Sequence, residues 1–265
     1  NHHFDLYEDI SARMYQILCE YFSRVEVYSI DECFAIVKPS DVKFFKGVEK
    51  MIAELKNEVN DALGVSYSYG LARTKALAKQ ASKINKPNGV TLLLTKKDEE
   101  RALKATKIED VWGIGRQTFP DLIKLGIKTA YDFVKYSDAK IAKMFSRPLL
   151  VLKKELSGEE IMDVEDNIDP RDQKSIQSTA TFRPASMDEK VIAREISKNT
   201  EQACENARAL NLVGNKISFF VKTSEFKYFT GEVKLKIYTS DPGVILDNIL
   251  PELPKLLKNK NRIRS

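Results

Sequence analysis

Apolar residues recur at helical spacing at Tyr7, Ile10, Met14, Ile17, Leu18 and Tyr21, which predicts an amphipathic helix over Leu6 to Tyr21. The pattern then shortens to β-rich runs, Val25 to Tyr28 and Cys33 to Val37, close enough to form a hairpin. Ser40 is placed to N-cap a long helix with Phe45, Val48, Ile52, Leu55 and Val59 inward, stopped by Gly64. A strand over Val65 to Tyr69, a turn over Gly70 to Arg73 and a helix from Thr74 to Asn85 follow. The turn Lys86-Pro87-Asn88-Gly89 then leads into a strand, Val90 to Leu94. Strands alternating with helices make residues 1–95 an α/β or α+β layer.

The pattern changes at Lys96. From there to Gly158 only short helices are expected, over Asp98 to Lys104 and Ile108 to Leu125, then from Thr129, Asp138 and Pro148. Glu159 to Gln173 is acidic, contains Pro170 and lacks apolar periodicity, so it reads as a linker. A second α+β unit opens at Lys174 with a strand, Ser175 to Phe182. A helix carrying Val191, Ile192, Ile196, Cys204 and Ala207 comes next. Strands over Lys216 to Thr223 and Thr230 to Tyr238 follow, with Thr230-Gly231 near their turn. A final helix, Pro242 to Leu257, meets Pro251 and Pro254 in its second half.

With 265 residues, 43% hydrophobic and 31% charged, the chain has the makings of a folded globular protein of two or so domains. No apolar run approaches the ~18 residues of a membrane span and no signal-peptide pattern opens the chain, so no membrane partner and a cytoplasmic location are expected. Cys19, Cys33 and Cys204 are scattered, without a Cys-x-x-Cys pair, and read as buried thiols in a reducing compartment. A net charge of +5 tilts toward an anionic partner, weakly, because 38 acids accompany 43 bases. Lys255, Lys258, Lys260, Arg262 and Arg264 load the final segment with bases.

Asp31 and Glu32 stand between the first two strands. Neighbours on a flat strand point to opposite faces, so both reach one site only where the backbone bulges or turns. Held together, two carboxylates need a shared proton or a cation, and hard oxygens beside a phosphate suit Mg²⁺. A surface turn with two solvated acids is the plain alternative. Lys75, Lys79, Lys83 and Lys86 share one quadrant of the following helix, opposite a stripe of Leu77, Ala81 and Ile84. Such a row suits a triphosphate with its metal, or is simply a solvated face. Ile108-x-x-Val111-Trp112-Gly113-Ile114-Gly115, followed by Leu122 and Leu125, fits a helix-hairpin-helix, whose tight bend aims backbone N–H groups at a phosphate. Trp112 reads chiefly as a core aromatic of this small helical domain. Lys174-Ser175-Ile176-Gln177-Ser178-Thr179 strings polar donors along one strand, suited to phosphate oxygens or to solvent.

In this order the residues resemble the Y-family translesion DNA polymerases of UmuC/DinB type. Tyr28-Ser29-Ile30-Asp31-Glu32-Cys33-Phe34 resembles the palm motif, and Gly70-Leu71-Ala72-Arg73-Thr74-Lys75 to Lys86-Pro87-Asn88-Gly89 is similar to the palm helix and turn that meet the incoming triphosphate. Val111 to Gly115 is similar to the thumb's helix-hairpin-helix, and Lys174 to Phe182 to the opening strand of the little finger.

The resemblance implies an α+β fold: a partial palm with a ferredoxin-like sheet (1–95), an all-helical thumb (96–160), a linker (161–173) and an α+β little finger (174–265). It implies template-directed nucleotidyl transfer with two Mg²⁺ ions held by Asp31 and Glu32. Lys86, Lys83 and Arg73 would contact the dNTP, and Gly113, Ile114, Gly115, Arg116, Lys174, Ser175, Ser178 and Thr179 the DNA. Implied partners are primer-template DNA, dNTP and a sliding clamp or other SOS-response proteins, with the protein a monomer. The family's first catalytic Asp precedes the stretch that Asn1 opens, and Asn261 to Arg264 resembles the lead-in to a closing strand. The chain therefore resembles a polymerase cut at both ends, expected not to polymerise by itself. A non-catalytic DNA-backbone binder is the alternative, and the acid pair argues against it.

Overall fold

Helix α1 (Phe4–Tyr21) buries Met14 and Leu18 against Met51, Ile52, Leu55 and Val59 of helix α3 (Val48–Leu63), all positions that the helical period puts on one face. The computed structural model describes residues 4–165, 174–257 and 263. The chain divides into two units, 1–167 and 168–265. Its class is α+β, with small sheets.

The long helix expected from Ser40 is broken in two. Helix α2 (Pro39–Phe44) starts after Lys38, whose N–H is taken by the Asp41 side chain at 2.9 Å. It ends with Lys46 left-handed at φ 60° and with bonds from Lys46 N–H to the Lys43 carbonyl and from Gly47 N–H to the Val42 carbonyl. That is a Schellman closure with lysine in the glycine position, and Phe45 lies in it rather than in a helix interior. Gly47 then caps α3, and Gly64 ends it as expected.

Strands β1 (Val25–Ser29) and β2 (Glu32–Ala35) form the expected antiparallel hairpin, with a register shift between Val27 and Ser29. Strand β3 (Tyr69–Leu71) lies later than Val65 to Tyr69 and absorbs part of the expected turn. It pairs in parallel with β4 (Val90–Leu92), and helix α4 (Lys75–Ile84) makes the crossover that a parallel pair requires. A Cβ on Gly70 would come within 2.2 Å of the Ala78 carbonyl oxygen, so only glycine lets α4 lie this close to β3. The ferredoxin-like single sheet is not formed. β1–β2 and β3–β4 are separate two-stranded sheets, because the described residues put no strand between β2 and β3.

Helices α5 (Lys96–Ala105), α6 (Phe119–Lys124), α7 (Ala130–Lys135), α8 (Asp138–Met144) and α9 (Arg147–Leu156) build the helical half of this unit. Ile108 to Leu125 is not one helix. A 3₁₀ turn (Ile108–Asp110) and α6 are separated by a bend in which Gly113 takes φ 83°. The core joins Leu103, Ile108, Leu122, Phe133 and Leu152 to Ala76 and Leu77, so α4 belongs to the helical core as much as to the sheet. Ile84, expected in the buried stripe of α4, is 45% exposed. It lies at the helix exit, past the last core contact.

In the second unit helix α10 (Glu189–Ala209) buries Ile192 and Cys204 under a hairpin of β5 (Gly214–Lys222) and β6 (Tyr228–Thr239). Thr230-Gly231 lies inside β6, not at the turn, and its glycine leaves room for the Phe219 ring, which a Cβ would meet at 2.5 Å. The final helix is interrupted as its prolines require: α11 (Pro242–Ile249), a 3₁₀ turn (Leu250–Glu252) and α12 (Leu253–Leu257). No strand forms over Ser175 to Phe182, because none of the described residues pairs with it and a strand without a ladder has no stability of its own. Of the expected closing segment only Ile263 is described, bridging to Ser186 and Thr223; Asn261, Arg262 and Arg264 lie outside the described residues.

Leu77 is fully buried where the two halves of the first unit meet. Leu77→Ala is expected to cost about 3 kcal/mol, lowering the urea midpoint at unchanged m-value.

Candidate active site

The register shift at Tyr28 supplies the bulge that two adjacent acids need. Asp31 and Glu32 both line one cavity of about 690 Å³, together with Lys79, Ser82 and Lys86 from α4 and its exit. Asp31 is exposed at the mouth and accepts a hydrogen bond from the Ser29 hydroxyl at 2.8 Å. Glu32 is half-buried and ion-paired with Lys79. Lys86 is exposed, and no ion pair ties it to any of the described residues.

The rest of the lysine row is committed elsewhere. Lys75 Nζ holds both carboxylate oxygens of Glu26 at 2.7 and 2.8 Å and lies 4.9 Å over the Phe34 ring. Lys83 donates to the Asp110 carbonyl at 2.7 Å. Burial, then the neighbouring Lys79 and Lys86 charges, pull its pKa below the ordinary lysine value, against the opposing pull of Asp110 and Glu32. Arg73 does not line the cavity. It forms a bidentate pair with buried Glu99, at 2.7 Å for both bonds, which raises its pKa further.

Three aromatics join the bend to the hairpin. Trp112 meets Tyr28 edge-on at 5.5 Å and Phe34 at 5.9 Å, so it packs across to the acid hairpin as well as into the helical core. Beyond it Ile114 is buried, which turns Gly113, Gly115 and Arg116 outward. In the second unit Lys174, Ser175 and Thr179 are exposed, and Ser178 is hydrogen-bonded to Asn199 at 3.2 Å.

Comparison with known proteins places this arrangement. The model of the impB/mucB/samB family matches residues 1–83, and that of the family's C-terminal domain matches residues 173–265. The chain belongs to the impB/mucB/samB family. Among its relatives, UmuC of Salmonella typhimurium is 31% identical over 98% of this chain, and DNA polymerase IV of Desulfatibacillum aliphaticivorans is 29% identical over 97% of it. The chain spans 63% and 64% of the lengths of these two relatives. A Y-family polymerase chimera, Dbh-Dpo4(243-245)-Dbh, superposes with TM-score 0.79 over 98% of this chain and 74% of its own, at 22% identity. DinB from Sulfolobus solfataricus gives TM-score 0.54 at 23% identity. These two structures share the fold.

Within this impB/mucB/samB chain the cavity is apolar below its charged mouth, lined by Met14, Leu18, Ile52 and Leu55. Burial there pushes the Cys33 thiol up from 9.0 to about 12 and the Tyr69 hydroxyl up from 10.0 to about 12. None of the described residues hydrogen-bonds the Tyr69 hydroxyl.

Both groups hold their protons in the folded state at pH values where the unfolded chain has lost them. Stability is therefore expected to fall as pH rises from about 9 toward about 12, with a shallower alkaline limb in Cys33→Ala. Denaturant unfolding across that range checks the slope. Of the three thiols expected to be buried only Cys204 is; Cys33 is partly buried and Cys19 is exposed on α1, so iodoacetamide at pH 8 is expected to label Cys19 well before Cys33.

Proposed function

We propose that this chain carries part of the catalytic centre and the DNA-binding surface of a Y-family translesion polymerase. The observation that carries the reading is that Asp31, Glu32 and Lys86 line one cavity in a chain of this family. The reaction is template-directed transfer of a nucleotide from a dNTP to a primer 3′-hydroxyl, on damaged templates among others. Residues 1–95 serve as part of the palm, 96–160 as the thumb, 161–173 as the linker and 174–265 as the little finger.

The donor set fits a divalent cation. Asp31 and Glu32 both line the cavity, and one or two carboxylates together with phosphate oxygens are a donor set that Mg²⁺ accepts. Asp31 and Glu32 would hold it. When bound, the cation supplies Lewis-acid stabilisation of charge on the transferring phosphoryl group. Lys86, at the helix exit with its ammonium uncommitted, neutralises the β- and γ-phosphates as charge builds on the leaving pyrophosphate. Lys83 stands behind it, occupied by the Asp110 carbonyl. Arg73 is withdrawn from the nucleotide and has a bracing role, tying α4 to α5 through Glu99.

Gly113, Gly115 and Arg116 offer an outward bend for the DNA backbone, without base readout. Lys174, Ser175 and Thr179 offer donors for phosphates in the second unit, and Ser178 is tied back to Asn199. Among the described residues no helix is long and apolar enough to cross a membrane. The acid pair disfavours a purely DNA-clinging role, since a binder has no use for adjacent carboxylates in a nucleotide-sized cavity.

In the protein that carries this chain, Asp31→Ala is expected to lower Mg²⁺-dependent primer extension by at least about 10²-fold. Parental extension by that variant would remove the enzymatic reading. Lys86→Ala is expected to raise KM for dNTP about tenfold, the worth of one charge-assisted hydrogen bond. Arg116→Ala is expected to weaken primer-template binding on all sequences and to reduce the salt slope by about one unit, measured by fluorescence anisotropy against salt.

A further inference from the structure

The lysine row of α4 is largely answered by the protein's own anions. Lys75 takes Glu26, Lys83 takes a carbonyl, and Lys79 takes Glu32. Lys79 alone among these three reaches a carboxylate that the proposed chemistry uses. Both partners line the cavity, and the lysine side chain is 13% exposed against 34% for the glutamate. Away from bulk water such a pair is held more strongly than on an open surface, and the ammonium occupies one carboxylate oxygen outright.

We propose that Lys79 is a resident counter-ion of the acid pair, which a divalent cation has to displace from Glu32 before it can bind there. The inference rests on the reading of Asp31 and Glu32 as cation ligands. Adjacent carboxylates with no cation between them repel, and Lys79 relieves that repulsion while the site waits. It also makes the site selective for what arrives. A bare cation only repels the displaced ammonium, whereas a cation carrying a triphosphate offers the ammonium a new anionic partner. Nucleotide and metal therefore bind with positive coupling, each raising the affinity for the other.

The test is titration of this chain with Mn²⁺ by calorimetry, with D31N as the site control and circular dichroism to confirm folding. K79Q is expected to bind Mn²⁺ about tenfold tighter than the parent, because one positive charge has left the site. K79R is expected to bind it more weakly than the parent, since a guanidinium grips a carboxylate bidentately. K75Q, whose partner Glu26 lies outside the cavity, is expected to lose thermal stability and keep the parental Mn²⁺ affinity. If K79Q folds and binds Mn²⁺ no tighter than the parent, or K79R binds as tightly as the parent, the counter-ion role is overturned and the cation site stands. If neither parent nor K79Q shows binding that D31N removes, the cation site falls too, and the counter-ion role with it.

Discussion

Helix α4 has two faces with separate commitments, and one of them fixes the other. Ala76, Leu77 and Ala81 are buried, and Thr74, at the N-cap, donates its hydroxyl to the Glu155 carbonyl at 2.8 Å. The Glu155 side chain has no exposure at all, and a carboxylate so buried must find donors. It finds the N–H groups of Ala76, Ile161 and Met162, so α9, α4 and the segment after α9 meet on one anion. Those contacts settle the helix's rotation about its own axis. Once that is settled, Lys75 and Lys79, one turn apart, face Glu26 and Glu32 of the acid hairpin, and Lys75 also reaches the Asp163 carbonyl.

The cavity beside that hairpin owes its character to strand edges. Glu32 through Ala35 and Tyr69 through Leu71 line it residue by residue. Alternate side chains of a strand point to opposite faces, so consecutive lining residues mean that the edges of β2 and β3 border the space. Helices α1 and α3 floor it with apolar side chains, while the acids and Lys86 stand at its rim. Apolar walls lower the local dielectric and strengthen every charge interaction at the mouth. The same walls hold Cys33 and Tyr69 protonated, so the cavity separates groups that stay neutral from groups that carry charge.

Much of this was legible residue by residue. A helix start at Thr74 and a stop at Gly64 were readable, and the adjacent acids demanded a bulge that the register shift at Tyr28 provides. What failed to read did so for physical reasons. Lys46 adopts a left-handed conformation that its type does not announce, so α2 and α3 looked continuous. Gly231 reads as a turn residue, yet its missing Cβ serves the Phe219 ring inside a strand. Ser175 to Phe182 has the composition of a strand, but strands exist only in pairs, and pairing is not a local property. Arg73 stands next to the lysine helix in sequence, while its partner Glu99 lies on α5, where no spacing rule would look.

Charge shows the same limit most plainly. A net +5 points to an anion only if the positive groups are free to meet one. On α4 the row that suggested a phosphate cradle is engaged from within: Glu26 and Glu32 neutralise Lys75 and Lys79, a carbonyl holds Lys83, and Glu99 neutralises Arg73. What remains at the cavity mouth is Lys86, with exposed Arg116 on the bend beyond Trp112. If the cavity takes a triphosphate as proposed, the attraction rests on one ammonium and on the cation the acids would hold, not on a row along a helix. On the proposed reading, such a site would respond to a nucleotide that arrives with its metal more than to phosphate alone, because Lys75 and Lys79 are already paired with carboxylates.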